Sequence, residues 1–348
     1  MAFAPDGYRA GMRRATSLLT SSLVATAVLA APPAAADPGA FDLQSHRGGR
    51  GETTEESLRA FAKSLELGVS TLELDIVLTR DNQPLVWHDP RIEAAKCADT
   101  APAVPGDPQF PYVGKLVHDL TLPQIRTLDC GKLLPDHPDA EVVAGNTIAT
   151  LPEVFALADE YGAGVRYNIE TKIEADNPAM SASPEQFVDV ILATTRAAGK
   201  LDKIDIQSFD WRTLPLVAAQ APGVPRVALW DDTTWVPGSP WLAGVDPADV
   251  ADPIAGAQLV GATVLSPGYS VPYGLTPDDP DFRLVADADF VARAHSAGMT
   301  VVPWTINDAG AMRVQIAAGA DGIITDYPTR LRAVMAELGM PLPPAYHR

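Results

Sequence analysis

The chain has 348 residues, with 44 Asp and Glu against 26 Lys and Arg and a net charge of −18. So acidic a composition excludes nucleic acid as the expected partner, because that ligand needs a basic stripe, and it disfavours docking driven by anionic lipid headgroups. Two cysteines without a Cys-x-x-Cys pair lack the spacing of a zinc site.

Arg9, Arg13 and Arg14 open the chain, an apolar stretch runs from Leu18 to Leu29, and Ala34-Ala35-Ala36 precedes Asp37. That is the order of a secretory signal peptide. The apolar stretch is interrupted by Thr and Ser and is short for a membrane span. Residues 1–36 are therefore expected to be a leader cleaved near Ala36, residues 37–348 the mature domain, and the product a secreted protein with no stable membrane insertion.

From there, short apolar runs alternate with helical patterns, the mark of βα units on a parallel sheet. Strands are expected at Leu43–His46, Leu72–Val77, Val165–Glu170, Ile204–Ser208, Val224–Trp230, Ala262–Pro267, Thr300–Ile306 and Gly322–Thr325, with Pro84–His88 as a hairpin partner. An amphipathic helix is read over Glu55–Leu67, and others near 151–161, 184–199, 211–219, 248–260, 287–297, 308–318 and 328–338. The count points to an α/β fold, a (β/α)8 TIM-type barrel. An open doubly wound sheet is the fallback, although the Gly-rich phosphate loops that often mark it are missing. Residues 90–146 break the rhythm after the second strand. They are rich in Pro, Asp and Gly and carry Cys97 and Cys130, so they read as a loop-rich insertion over the barrel mouth, closed by a disulfide that export permits.

Chemistry gathers where strands should end, the face on which barrels of this kind act. Alternate strand residues share a face, which sets Glu73 beside Asp75, two oxygen ligands suited to a hard cation such as Ca²⁺ or Mg²⁺. On the third strand Asn168, Glu170 and Lys172 share a face likewise, adding a third carboxylate and a cation. His46 and His88 can exchange protons, and Arg47 is a fork for a phosphate. Metal, proton shuttles and anion clamp together indicate phosphoester chemistry.

The wording of the chain extends this reading. His46-Arg47-Gly48, Glu55 in Thr-Glu-Glu-Ser, Glu73-Leu74-Asp75, Thr79-Arg80-Asp81 and His88-Asp89 resemble the N-terminal signature of the glycerophosphodiester phosphodiesterase family. Gln207-Ser208-Phe209, Trp304-Thr305-Ile306-Asn307 and the segment Gly322–Pro328 carry the resemblance to about residue 328. One departure is Thr54-Glu55-Glu56-Ser57, where the family usually reads Pro-Glu-Asn-Thr. The resemblance implies a metal-dependent phosphodiesterase that hydrolyses glycerophosphodiesters to glycerol 3-phosphate and an alcohol. It implies a divalent cation on Glu73, Asp75 and Glu170, with His46 and His88 as acid and base, His46 being preferred as the base. Arg47, Lys172, Glu55, Gln207 and Trp304 are assigned to the substrate, Trp304 as a flat wall for glycerol and Glu55 alternatively to Arg47 or a helix dipole. Phe209 is expected in the core, and His118, His137, His295 and His347 receive no role. The rival readings are a phospholipase D-like enzyme of sphingomyelinase D type acting on intact lipids, and a non-catalytic binding barrel. Headgroup, metal and oligomeric state are left open.

Overall fold

The computed structural model describes residues 40–348; the proposed leader, residues 1–36, lies outside the described residues. Eight parallel strands form the barrel: β1 Asp42–Ser45, β2 Thr71–Leu78, β3 Arg166–Thr171, β4 Ile204–Ser208, β5 Arg226–Trp230, β6 Val264–Pro267, β7 Thr300–Val301 and β8 Gly322–Thr325. Their order in the sheet is β7-β6-β5-β4-β3-β2-β1-β8. The ring closes between β7 and β8 through Asp321 N to Val301 O at 2.9 Å and Ile324 N to Pro303 O at 3.0 Å. Every residue of β2 is buried, as a strand covered on both faces requires. Pro84–Val86 pairs antiparallel with the end of β2.

Each strand is followed by a helix: α1 Leu58–Leu67, α2 Leu151–Glu160, α3 Pro184–Ala197, α4 Thr213–Gln220, α5 Pro253–Leu259, α6 Ala288–Ser296, α7 Ala309–Ala317 and α8 Pro328–Glu337. Phe61 and Leu65 of α1 pack into one large core with Leu72 and Leu74 of β2 and Phe155 of α2. Side-chain caps set several starts: Ser57 accepts from Ala60 N at 3.0 Å, and Asp308 accepts from Ala311 N at 2.8 Å.

Three boundaries differ from expectation by three residues or more. Helix α1 begins at Leu58 rather than Glu55, because Ser57 caps it and Glu56 holds a left-handed φ of 55° that no helix accommodates. Strand β7 ends at Val301, since Pro303 has no N–H to extend a ladder. Helix α5 is shorter than 248–260, capped by Asp252 with Pro253 at its first position.

The insertion is not merely loops. Ile92, Tyr112, Val117, Leu120, Ile125 and Leu128 form a small core with Trp87 and both cysteines. Cys97 and Cys130, 33 residues apart, are disulfide-bonded, and Ala98–Asp99 pairs with Leu128–Asp129 beside the bridge. Replacing both cysteines with Ser is expected to destabilise this lobe by about 3–4 kcal/mol through loop-closure entropy. Limited proteolysis should then cut within residues 90–146 first; an unchanged cleavage pattern and melting curve would show that the lobe's apolar core alone holds it.

Candidate active site

After Ser45 the chain turns sharply over His46–Gly48, with Arg47 at φ 51° and Gly48 at φ 75°. A Cβ on Gly48 would come within 2.9 Å of the Ala60 Cβ, so glycine is required for the close approach to α1. The turn aims the Arg47 N–H at Glu73 Oε2, 2.8 Å away. The Arg47 guanidinium is buried, with Nε 3.0 Å from Asp75 Oδ2 and Nη1 3.4 Å from Glu55 Oε2.

Strand register brings the carboxylates together: Asp75 of β2 lies opposite Glu170 of β3, which lies opposite Gln207 of β4. Ligand oxygens of Glu73, Asp75 and Glu170 are within 4.8 Å of one another, and all three residues are buried. Below them a polar layer sets their positions. Gln207 Nε2 donates to Glu73 Oε1 at 2.6 Å, and Asn168 Nδ2 donates to Gln207 Oε1 at 3.0 Å and to Gln44 Oε1 at 2.9 Å. Neither oxygen of Asp75 receives a hydrogen bond, Arg47 being close but out of line. Buried oxygens without donors are rare unless an ion or water satisfies them. An all-oxygen cluster of this kind fits a hard divalent cation.

Burial pushes Glu73 well above the usual carboxylate range, helped by Asp75 and Glu170. Glu170 rises to about 7, burial and Asp75 outweighing the pull of Lys172. Asp75 goes the other way, since Arg47, Lys172 and the histidines overcome its burial.

The two histidines are built alike. His46 Nδ1 lies 2.5 Å from Asp326 Oδ1, and Asn307 Nδ2 donates to Asp326 Oδ2 at 2.8 Å. Asp326 is held below the usual range, His46 and Arg50 overcoming its burial, so it accepts and Nδ1 carries the proton; Nε2 is then the basic nitrogen. His88 Nδ1 lies 2.8 Å from Asp89 Oδ1, which leaves its Nε2 likewise available. Burial, with Arg47 adding, lowers the pKa of both rings, further for His88, where Lys172 also contributes.

His46, Arg47, Glu73, His88, Glu170, Lys172, Gln207 and Trp304 all line one cavity of ≈ 220 Å³ at the carboxyl ends of the strands. Asp75 joins them through the carboxylate cluster. Gln207 lines the cavity, but its amide is committed to Glu73 and Asn168. Glu55 does not line it: this carboxylate is buried behind Arg47, 2.7 Å from Arg50 Nε and 2.5 Å from Lys96 Nζ. The expectation for Phe209 is corrected. It lines the cavity, edge-on to Trp304 at 5.2 Å, and Tyr273 continues the wall 5.3 Å from Trp304.

Arg50, Asn307, Asp326 and Tyr273 also line the site without having been singled out. The sequence carried a signal for Asp326 and Asn307, which sit inside motifs at the ends of β8 and β7. Tyr273 and Lys96 lie in irregular loops where no periodicity marks them. His137, given no role, is buried with Nδ1 3.2 Å from Tyr327 Oη, so the insertion reaches the β8 side of the mouth as well.

A family model described as the Glycerophosphoryl diester phosphodiesterase family matches residues 46–330. The glycerophosphodiester phosphodiesterase of Caldanaerobacter subterraneus subsp. tengcongensis is 25% identical over 287 residues, 82% of this chain and 94% of that protein. The crystal structure of a putative glycerophosphoryl diester phosphodiesterase from Silicibacter pomeroyi superposes with a TM-score of 0.71 and 26% identity, covering 87% of this chain and 95% of its own. An Oleispira antarctica phosphodiesterase, solved in complex with the product sn-glycerol-3-phosphate, shares the fold at a TM-score of 0.60 and 19% identity, over 85% of this chain and 96% of its own.

Proposed function

The chain belongs to the glycerophosphoryl diester phosphodiesterase family, whose members are phosphoric diester hydrolases, and on that premise we propose that it is a secreted, divalent-metal-dependent enzyme that cleaves glycerophosphodiesters to glycerol 3-phosphate and an alcohol. The observation that carries this reading is the convergence at one cavity of Glu73 and Glu170, clustered with the buried Asp75, with the cations Arg47, Arg50 and Lys172 and two carboxylate-backed histidines. The signal-like leader and the disulfide support export. Among the described residues no helix is long and apolar enough to cross a membrane.

Glu73, Asp75 and Glu170 would hold the cation, which polarises a bound phosphate and lowers the pKa of a neighbouring hydroxyl. Arg47 and Lys172 take the phosphoryl oxygens and offset the charge that builds on them. Trp304 and Phe209 offer flat apolar faces to the glycerol carbons. Nε2 of His46, made basic by the Asp326 contact on Nδ1, removes the proton from the glycerol hydroxyl adjacent to the phosphate. That oxygen attacks phosphorus, and His88 protonates the departing alcohol, leaving a cyclic glycerol phosphate. His88 enters this half as the imidazolium, once the negative charge of the bound phosphate, with Asp89 on Nδ1, offsets the burial and the cations that otherwise lower its pKa. In the second half His88 takes a proton from water, water oxygen attacks phosphorus, and His46 returns its proton to the ring oxygen that leaves. Each histidine ends as it began.

Phosphorus NMR of glycerophosphocholine hydrolysis should show glycerol 3-phosphate forming, preceded by a cyclic phosphate, as free choline appears. Phosphocholine and glycerol as products would mean that the other P–O bond breaks and would overturn the assignment.

A further inference from the structure

Lys96 sits on the insertion, outside the signature that marks the site, yet its side chain is only 13% exposed and its ammonium is placed between two carboxylates. Nζ lies 2.5 Å from Glu55 Oε1 and 2.5 Å from Asp89 Oδ2, with the Trp87 ring centroid 5.0 Å away. Each of those carboxylates has its second oxygen on the reacting centre. Asp89 Oδ1 is 2.8 Å from His88 Nδ1, and Glu55 Oε2 is 3.4 Å from Arg47 Nη1. The result is one continuous line, His88–Asp89–Lys96–Glu55–Arg47. A buried ammonium needs such partners, and two neighbouring carboxylates equally need a cation between them.

The lobe holds Lys96 in place. Its N–H donates to Glu93 O at 3.0 Å, its carbonyl accepts from Lys132 N at 3.3 Å, and the next residue, Cys97, is bonded to Cys130. We propose that Lys96 is a positioning residue: it anchors Asp89 so that the His88 ring is held with Nε2 toward the leaving alcohol, and it makes the disulfide-closed lobe a working part of the reacting centre. This rests on the reading of His88 as the acid.

A positioning role has a consequence that packing alone lacks. A positioning residue for the acid matters most when the leaving oxygen needs a proton. Single-turnover release of alcohol should therefore be compared for glycerophosphocholine, whose choline leaves as a strongly basic alkoxide unless protonated, and glycerophospho-p-nitrophenol, whose nitrophenolate leaves unaided. His88→Ala is the reference and should show a much larger loss on the choline ester than on the nitrophenyl ester. Lys96→Met should follow the same pattern at smaller amplitude, about 10–100-fold on the choline ester, a part of what a proton donor is worth. Lys96→Arg, which keeps a cation able to bridge two carboxylates, should recover most of the loss. Equal losses on both esters from Lys96→Met, or none, would overturn the proposal while leaving His88 as the acid. Equal losses from His88→Ala would overturn the acid reading and the role of Lys96 together. Should Lys96→Met fold poorly, Lys96→Gln decides in its place, because it removes the same cation while leaving the Asp89–His88 contact intact. It should show the same preference for the choline ester; equal losses on both esters, or none, would overturn the proposal.

Discussion

Turnover of glycerophosphocholine is expected to fall by about 10²–10⁴-fold when either His46 or His88 is replaced by Ala, the usual worth of a positioned proton shuttle. The geometry behind this expectation is the carboxylate on each Nδ1, Asp326 at 2.5 Å and Asp89 at 2.8 Å, which commits that nitrogen and leaves Nε2 for chemistry. Binding should change little, because the phosphate is assigned to Arg47 and Lys172 in the proposed reading rather than to the imidazoles. The loss should therefore appear in kcat more than in KM. His295→Ala is the control: that ring is exposed on α6 with Asp321 2.9 Å from Nε2, and its loss should leave turnover unchanged. A His46 or His88 variant with wild-type kcat would reduce that histidine to a structural role.

The second large effect concerns the carboxylate cluster. Asp75→Asn, or excess chelator, is expected to abolish activity, and Ca²⁺ or Mg²⁺ should restore the chelated enzyme better than Zn²⁺, because the ligands are all oxygens. Binding should also be visible without turnover. A cation that binds only the folded protein stabilises it by about 2.7 kcal/mol at 100 times its Kd, so the thermal midpoint should rise on adding Ca²⁺ or Mg²⁺ and stay fixed in Asp75→Asn. The metal-free protein carries a further sign. Glu170 is raised by burial from 4.5 to about 7, so folding takes up a proton between those values. Stability from this group is greatest below about 4.5 and declines as pH climbs to about 7, and a bound cation should flatten that decline. A midpoint indifferent to both cation and pH across this window would remove the metal from the account.

The barrel was legible because its strands are apolar runs of standard length separated by amphipathic helices, and β1 to β8 fall near where that alternation puts them. The carboxylate cluster was legible for a simpler reason: strand alternation places Glu73 beside Asp75, and a parallel neighbour in register adds Glu170. Local chemistry hid the rest. Ser57 and the left-handed Glu56 start α1 three residues late, turning Glu55 from a helix residue into the buried partner of Arg47, Arg50 and Lys96. The lobe's core is spread among prolines with no period to reveal it. Phe209 reads as packing in any single-sequence view, because only the three-dimensional neighbourhood of Trp304 and Lys172 shows that it borders a cavity. Lys96 belongs to no pattern at all; its role depends on the lobe folding back over the strand ends.

Cation-assisted cleavage of small glycerophosphodiesters is tested most directly by one measurement. Glycerophosphocholine, glycerophosphoethanolamine and an intact two-chain phospholipid should be incubated side by side with the enzyme, with and without chelator, and the released alcohol quantified. The expected result is hydrolysis of the two deacylated diesters, none of the intact lipid, and loss of all activity in chelator. Cleavage of the intact lipid in preference to the diesters, or undiminished hydrolysis in excess chelator, would contradict it.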